Sequence, residues 1–259
     1  MDESNEMPSV LACDVGNTAT HLARVKGEAV TCVQKVPNGR MGGLAELLAG
    51  MWNEMPSPKK LVACSVDPGA LGALEAAAES VGLPVLVVGR DLPLPIDTDL
   101  PDPAAVGMDR LCAAVAAFDR LGVACVVADF GTAITIDCVN DAGVFLGGAI
   151  MPGLAMSARG LHAGTAQLPE VEIDQPDWTI GKDTRQAIVG GLVFAARGAL
   201  RHLVEAYATE LGHWPIVIAT GGDAKVVCGD LQTSDLVQAI VEDLVLCGVA
   251  AAYYKTLVK

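Results

Sequence analysis

Two stretches of this chain, 115 positions apart, read as copies of one another. Val10-Leu11-Ala12-Cys13-Asp14-Val15-Gly16-Asn17-Thr18 and Val126-Val127-Ala128-Asp129-Phe130-Gly131-Thr132 each give an apolar strand, an Asp, one apolar residue, a Gly and a Thr close behind. The segments downstream of each copy repeat as well. Strand-like segments at 20–25 and 28–33 come after the first, and segments at 133–139 and 144–150 after the second, each time ahead of helical spacing. A duplicated unit of three strands plus helices accounts for this pattern. Strands alternating with helices place the chain in the α/β class. At 259 residues it is long for one simple domain and short for two independent ones, which suits two lobes, 1–118 and 119–259, meeting near 115–122 with no flexible linker. The spacing predicts further strands at 61–66, 84–88 and 215–219. It predicts helices at 43–55, 69–81, 105–121, 153–163, 183–211 and 235–256. Residues 89–105, rich in Pro and Asp, read as a loop.

Composition narrows the function. Aromatic residues are 4% of a chain that is 52% hydrophobic, so the core is built mainly from Ala, Val and Leu. A net charge of −14 argues against nucleic acid, which needs a basic surface to displace counterions. An anionic substrate must therefore be held by local cations, backbone N–H groups or a metal. The eight cysteines form no C-x-x-C pair and sit mostly in apolar runs, as small buried hydrophobes of a reduced compartment do. The four histidines lack zinc-site spacing. The N-terminus is acidic, without a secretory pattern, and no apolar run reaches spanning length without charge, Pro or Gly. The expectation is a cytoplasmic protein that binds neither membrane nor nucleic acid.

The repeated corner carries chemistry. A strand that ends in Asp and turns on Gly brings N–H groups toward phosphate oxygens, because no Cβ stands in the way. Thr18 and Thr132 add hydroxyl donors. The carboxylates of Asp14 and Asp129 repel phosphate unless a cation intervenes. Mg²⁺, which takes one or two carboxylates plus phosphate oxygens, is the natural choice. One such corner is an ordinary turn; two, at matching positions of duplicated halves and facing each other, would grip a polyphosphate from both sides. Ala219-Thr220-Gly221-Gly222-Asp223-Ala224 comes after an apolar strand and opens a helix, where paired glycines permit close approach of a ring or phosphate, or make a plain turn. Gly107-Met108-Asp109-Arg110 opens another helix, where Asp favours the macrodipole whether or not it has a chemical task.

In this order and spacing the motifs resemble type III pantothenate kinase, a bacterial family within the actin-like ATPase and sugar kinase superfamily. The resemblance covers roughly residues 9–256. It also draws on Gly147-Gly148-Ala149-Ile150-Met151-Pro152-Gly153-Leu154, Thr165-Ala166-Gln167-Leu168-Pro169 and Gly181-Lys182-Asp183-Thr184. It implies two duplicated actin-like (ribonuclease H-like) lobes with a nucleotide cleft between them, and transfer of phosphate from ATP to pantothenate in the first step of coenzyme A biosynthesis. Asp14, Val15, Gly16, Asn17, Thr18, Ala19, Thr20 and His21 would cradle the ATP phosphates, with Asp14 at Mg²⁺, directly or through water. Gly131, Thr132, Gly221 and Gly222 would also contact ATP. Leu100, Gly107, Met108, Asp109, Arg110 and Thr184 would line the pantothenate site, with Asp109 as catalytic base. Asp129 would hold a monovalent cation, potassium or ammonium. The family is homodimeric, with its substrate site near the subunit interface. The chain departs from it at Leu100, where a Tyr is usual, at Met108, often Ala, and at His21, often Lys. These departures keep two alternatives in view: a kinase for another small hydroxyl acceptor, and a non-catalytic nucleotide-binding regulator.

Overall fold

The computed structural model describes residues 7–229 and 236–257. The chain divides into two compact units. The first takes in the chain up to Ile96, Pro101–Ala116 and the chain from Asp243; the second takes in Asp97–Leu100 and Ala117–Glu242.

The first unit is built on β1 (Ser9–Val15), β2 (Ala19–Lys26), β3 (Ala29–Pro37), β4 (Lys59–Ser65) and β5 (Val85–Val87), in the order β3-β2-β1-β4-β5. β1, β2 and β3 run antiparallel, and β4 and β5 continue parallel to β1. The helices α1 (Leu44–Asn53) and α2 (Pro68–Ser80) bury Leu44, Leu48 and Met51, and Ala70, Leu74 and Ala78, at helical spacing. α2 starts where it does because Asp67 accepts from the N–H groups of Gly69 and Ala70 and Pro68 stands in the first turn. These helices form one core with Leu11, Cys13 and Val15 of β1 and Leu61 and Ala63 of β4. The alternate residues of the same strands, Val10, Ala12, Val62 and Cys64, point to the other face and are buried there too. Burial on both faces is why these strands read as near-continuous apolar runs. Asp14 belongs to this second face. It is also the face toward which α7 (Leu244–Lys255) supplies its contacts with β1, β2 and β4.

The second unit repeats the plan. Its strands are β6 (Asp97–Thr98), β7 (Cys125–Phe130), β8 (Ala133–Val139), β9 (Val144–Pro152), β10 (Ile216–Thr220) and β11 (Ala239–Ile240), ordered β11-β10-β7-β8-β9-β6. β7, β8 and β9 are antiparallel, with β10 parallel to β7, so strands 7, 8, 9, 10 and 11 stand as 1, 2, 3, 4 and 5 do. Val126, Ala128 and Phe130 face a core with α4 (Leu154–Ala163) and α5 (Thr184–Leu211), while Asp129 falls on the opposite face. α5 is the one helix, among the described residues, with the length and apolarity to cross a membrane, at a mean hydropathy of 1.4 over its most apolar stretch. Its Val189, Val193, Ala196, Leu200 and Val204 are instead the centre of this core.

Two expectations need correction. The loop at 89–105 contains β6, which adds a sixth strand by pairing with Val144 and Phe145 of β9. The final helix does not reach back toward 235, a position outside the described residues. Ala239 and Ile240 pair with β10, Val241 donates to the Ala219 carbonyl, and Asp243 takes a left-handed conformation (φ 56°) before α7 begins. Leu236, Val237 and Ile240 have helical spacing with Leu244, but an open sheet edge beside β10 offers backbone partners that override it. Residues from 243 onward, grouped by sequence with the second half, pack in the first unit. α7 is apolar around most of its circumference, with Leu244, Val245, Leu246, Val249, Ala250 and Ala252 buried, and it needs a sheet face to cover it.

Candidate active site

The β1–β2 corner is a closed, braced turn. Gly16 donates to the Ala19 carbonyl at 3.1 Å. Asn38 holds the turn from outside: its backbone N–H donates to Thr18 O at 3.0 Å, its Nδ2 donates to Gly16 O at 2.7 Å, and its Oδ1 accepts from Thr20 Oγ1 at 3.1 Å. Asn17 and Thr18 are left exposed at the tip, while Ala19 and Thr20 are buried beneath it. Asp14 stands at the strand end, half-buried, with Val15 inside the core and its carbonyl bonded to Val66 N at 3.0 Å. Asn38 is a member that sequence reasoning missed. The Asn-Gly dipeptide at 38–39 signals a turn, but only strand pairing brings it back to Gly16.

His21 is the register partner of Asp14 on β2 and of Lys35 on β3. Burial pushes its pKa below the ordinary 6.5, and the Lys35 charge pushes it the same way. His21 is therefore neutral at pH 7 and supplies no positive charge to a phosphate. Its charge, and its cost to folding, appear only as the pH falls below that of an ordinary histidine. His21→Lys is expected to lower KM for ATP about threefold at pH 7.5, a gain typical of one added partly exposed cation; steady-state kinetics at varied ATP would read it.

Gly107-Met108-Asp109-Arg110 opens α3 (Met108–Leu121). The Asp109 carboxylate folds back over the helix start, where Oδ1 accepts from Arg110 N at 2.8 Å. A Cβ on Gly107 would stand 2.5 Å from that oxygen and 3.4 Å from Val66 Cγ1, so glycine is required for the carboxylate to sit there. Met108 lies against Gly89, whose left-handed φ of 86° leaves the space its side chain fills. That is how a residue larger than the family's usual Ala is accommodated.

Asp14 and Asp109, far apart in sequence, both act on Cys64 of β4. The Cys64 thiol donates to Asp14 Oδ1 at 3.5 Å. Its pKa is held well above the ordinary thiol value by its hydrogen bond to Cys112, by burial, and by the charges of Cys112, Asp14 and Asp109. Within the first unit, then, Asp14 of the β1–β2 corner accepts from a buried thiol that also feels the charge of Asp109 at the start of α3.

The second unit assembles the other corner. Gly131 donates to Ala133 O at 3.0 Å, a turn one residue tighter than its counterpart. Gly153 donates to Thr132 O at 3.1 Å, and Asp223, just before the short helix α6 (Ala224–Cys228), donates to Phe130 O at 2.9 Å. Gly221, at φ 91°, passes so close that a Cβ would lie 2.6 Å from the Phe130 carbonyl carbon and closer still to Asp129 Oδ1. Asp129, Gly131, Thr132, Gly221 and Gly222 are thus one cluster. Leu100 lies at Gly147, with its Cδ2 3.3 Å from where a Cβ would be. Thr184 begins α5 behind its cap Asp183, whose carboxylate accepts from Gln186 N at 2.7 Å. It lines a cavity of about 530 Å³ with Leu161, Leu168, Gly181, Lys182 and Ile188.

Among the described residues no group of three or more His, Cys, Asp or Glu gathers as a metal cage. Single carboxylates at strand ends suit a divalent ion that takes most of its ligands from water and phosphate.

The sequence profile of the type III pantothenate kinase family matches residues 10–206. The chain belongs to the type III pantothenate kinase family. The type III pantothenate kinase of Chlorobaculum parvum is 34% identical over 233 residues, covering 86% of this chain and 87% of that protein. The one from Syntrophotalea carbinolica is 34% identical over 254 residues, covering 95% and 98%. The family is one of kinases, and use of ATP with a divalent metal follows from membership. At the level of fold, the chain matches component A of (R)-2-hydroxyglutaryl-CoA dehydratase from Acidaminococcus fermentans with a TM-score of 0.51 at 15% identity, over 96% of this chain and 99% of that one. The fold is α/β, two actin-like units of the ribonuclease H-like type.

Proposed function

We propose that this chain transfers the γ-phosphate of ATP to the primary hydroxyl of pantothenate, giving 4′-phosphopantothenate, the first step of coenzyme A biosynthesis. The observation that carries this reading, in a chain of this family, is that the buried Cys64 thiol donates to Asp14 at the β1–β2 corner and feels the charge of Asp109 at the start of α3. A carboxylate suited to a metal–triphosphate and a carboxylate suited to an acceptor hydroxyl thus belong to the same unit of the fold.

The roles are those the family resemblance implies, and the chemistry of the residues is consistent with them. Residues 14–21 hold the phosphates through turn N–H groups and the Thr18 hydroxyl. Asp14 holds Mg²⁺, directly or through water, and Asp129 a monovalent cation, potassium or ammonium. Bound Mg²⁺ supplies charge stabilisation on the transferring group. Thr132 and the Gly221–Gly222 backbone meet ATP where no Cβ blocks approach. Arg110 is a counter-charge for the pantothenate carboxylate, and Thr184 a hydroxyl partner for pantothenate. Phosphoryl transfer passes through a loose transition state, so the nucleophile needs little early activation. Asp109 fixes the hydroxyl in line and takes its proton late. Leu100 offers an apolar contact where the family usually has a hydroxyl, so specificity rests more heavily on Asp109, Arg110 and Thr184. A homodimer suits the exposed apolar residues Leu161, Ile180 and Phe194 near the Thr184 cavity. The site of action is the cytoplasm, where ATP is abundant.

A coupled ADP-release assay tests the proposal, run with and without pantothenate, Mg²⁺ and potassium. Turnover that requires all three is the expected result. ADP release without pantothenate would point to another acceptor, and nucleotide binding with no turnover would overturn the enzymatic reading.

A further inference from the structure

The two corners occupy matching places in the repeat but are braced differently. β3 and β9 both end in proline, with Pro37 paired to Ala19 and Pro152 to Ala133. In each case the next residue donates its N–H across the corner, Asn38 to Thr18 O at 3.0 Å and Gly153 to Thr132 O at 3.1 Å. In the second unit that residue has no room for a side chain, because a Cβ on Gly153 would overlap the carbonyl oxygens of Gly131 and Thr132. The turn in the first unit is one residue longer, and a side chain stands in the matching place. Asn38 Nδ2 donates at 2.7 Å to the carbonyl of Gly16, the counterpart of Gly131. A carbonyl only accepts, so Nδ2 must face Gly16 O, and Oδ1 is left for the Thr20 hydroxyl, which donates to it at 3.1 Å from a fully buried position. The three hydrogen bonds use three separate protons.

We propose that Asn38 is a positioning residue for the phosphate site: its side-chain amide and backbone N–H hold the Gly16 and Thr18 carbonyls on one side of the turn and so aim the Asn17 N–H at the triphosphate. The inference rests on the reading of residues 14–21 as the corner that holds the phosphates. A trans peptide is planar, with its C=O and N–H pointing opposite ways, and Gly16 and Asn17 are joined by such a bond. Tying Gly16 O to Asn38 therefore turns the Asn17 N–H to the far side of the turn, at the exposed tip. Without that tie the peptide would be free to rotate as a unit, and its N–H would have to be reordered each time a phosphate bound. Thr20 acts one step further back by fixing the amide that fixes the turn.

The test is Asn38→Leu, which removes the amide at similar volume. Binding of MgATP, inorganic triphosphate and adenosine is measured beside thermal melting; adenosine carries the nucleoside without the phosphates. Asn38→Leu is expected to weaken MgATP and inorganic triphosphate by the same factor, about tenfold, the scale of one hydrogen bond to a charged group. Adenosine affinity should stay within about twofold, as for a site that shares no partner with Asn38. A merely structural asparagine would lower the melting temperature and leave the three affinities in their parent ratio; that result, or parent-like triphosphate binding, overturns the proposal. Asn17→Asp run alongside separates the layers, because it is isosteric and places a negative charge at the tip. It is expected to weaken inorganic triphosphate about tenfold, the scale of a unit charge facing a phosphate at a protein surface. Unchanged binding in Asn17→Asp overturns the reading of the corner as the phosphate site, whereas loss there with none in Asn38→Leu overturns only the role of Asn38. No binding readout needs turnover, so each stands whatever the acceptor. Should Asn38→Leu fail to fold, Thr20→Val removes the hydroxyl that fixes the amide and is expected to weaken inorganic triphosphate about threefold, with Thr20→Ser within about twofold of the parent; parent-like binding in Thr20→Val, or equal losses in the Val and Ser variants, then overturns the proposal.

Discussion

Asp109→Asn is expected to lower kcat about 10³-fold, the middle of the range for general-base catalysis, while ATP binds as before. The substitution is isosteric, and the Asn oxygen can still accept from Arg110 N as Asp109 Oδ1 does at 2.8 Å, so the start of α3 keeps its geometry. What changes is the second terminal atom. An amide NH₂ presents donors to the acceptor hydroxyl where a proton acceptor is needed. The β1–β2 corner proposed to hold ATP is braced by Gly16, Asn38 and Thr20, none of which depends on Asp109. ADP release measured beside ATP titration separates the two effects. A kcat within a few fold of the parent would remove Asp109 from the base role.

Gly248→Ala is expected to cost about 3 kcal/mol of stability, at the upper end of overpacking penalties. α7 crosses α3 so closely that a Cβ on Gly248 would lie 2.8 Å from Cys112 Cα and overlap the Cys112 carbonyl. The obstacle is backbone of a helix, which cannot rotate aside as a side chain could. The melting temperature should fall by about 2–4 °C per kcal/mol, hence roughly 8 °C in all. Gly72→Ala is the contrast. It lies inside α2 with nothing within 4 Å of a new Cβ, and alanine there should be neutral or stabilising by up to about 1 kcal/mol. Because α3 carries Asp109, a displaced Cys112 would also disturb the carboxylate one turn away. A Gly248→Ala protein with parent-like melting would mean that α7 does not pack on α3 at this distance.

The duplicated corners were legible because they are local. Strand, Asp, Gly and Thr follow one another in sequence, and the tightness of the turn is a property of a few consecutive residues. The bracing of those corners was not. Asn38 reaches Gly16 only through the β2–β3 pairing, and Gly153 reaches Thr132 only through β8–β9. Cys64 read as one more small hydrophobe in an apolar run, and nothing in its neighbours along the chain marks it. Its partners Asp14 and Cys112 are contributed by a parallel strand and a helix remote in sequence.

Periodicity and turn chemistry were enough to place the chain among α/β proteins with a repeated unit, to locate most of its strands and helices, and to single out the carboxylates. Those are short-range properties, written in the spacing of apolar residues and in the backbone freedom of glycine. Which sheet would claim residues 236–256 was decided by long-range pairing. An edge beside β10 took Ala239 and Ile240, and the first unit's sheet took α7. Both segments are apolar enough for helix or strand, so the free energy of covering an existing surface outweighed their own preference. The contact of Asp14 with Cys64 has the same origin: it exists only once β1 lies against β4.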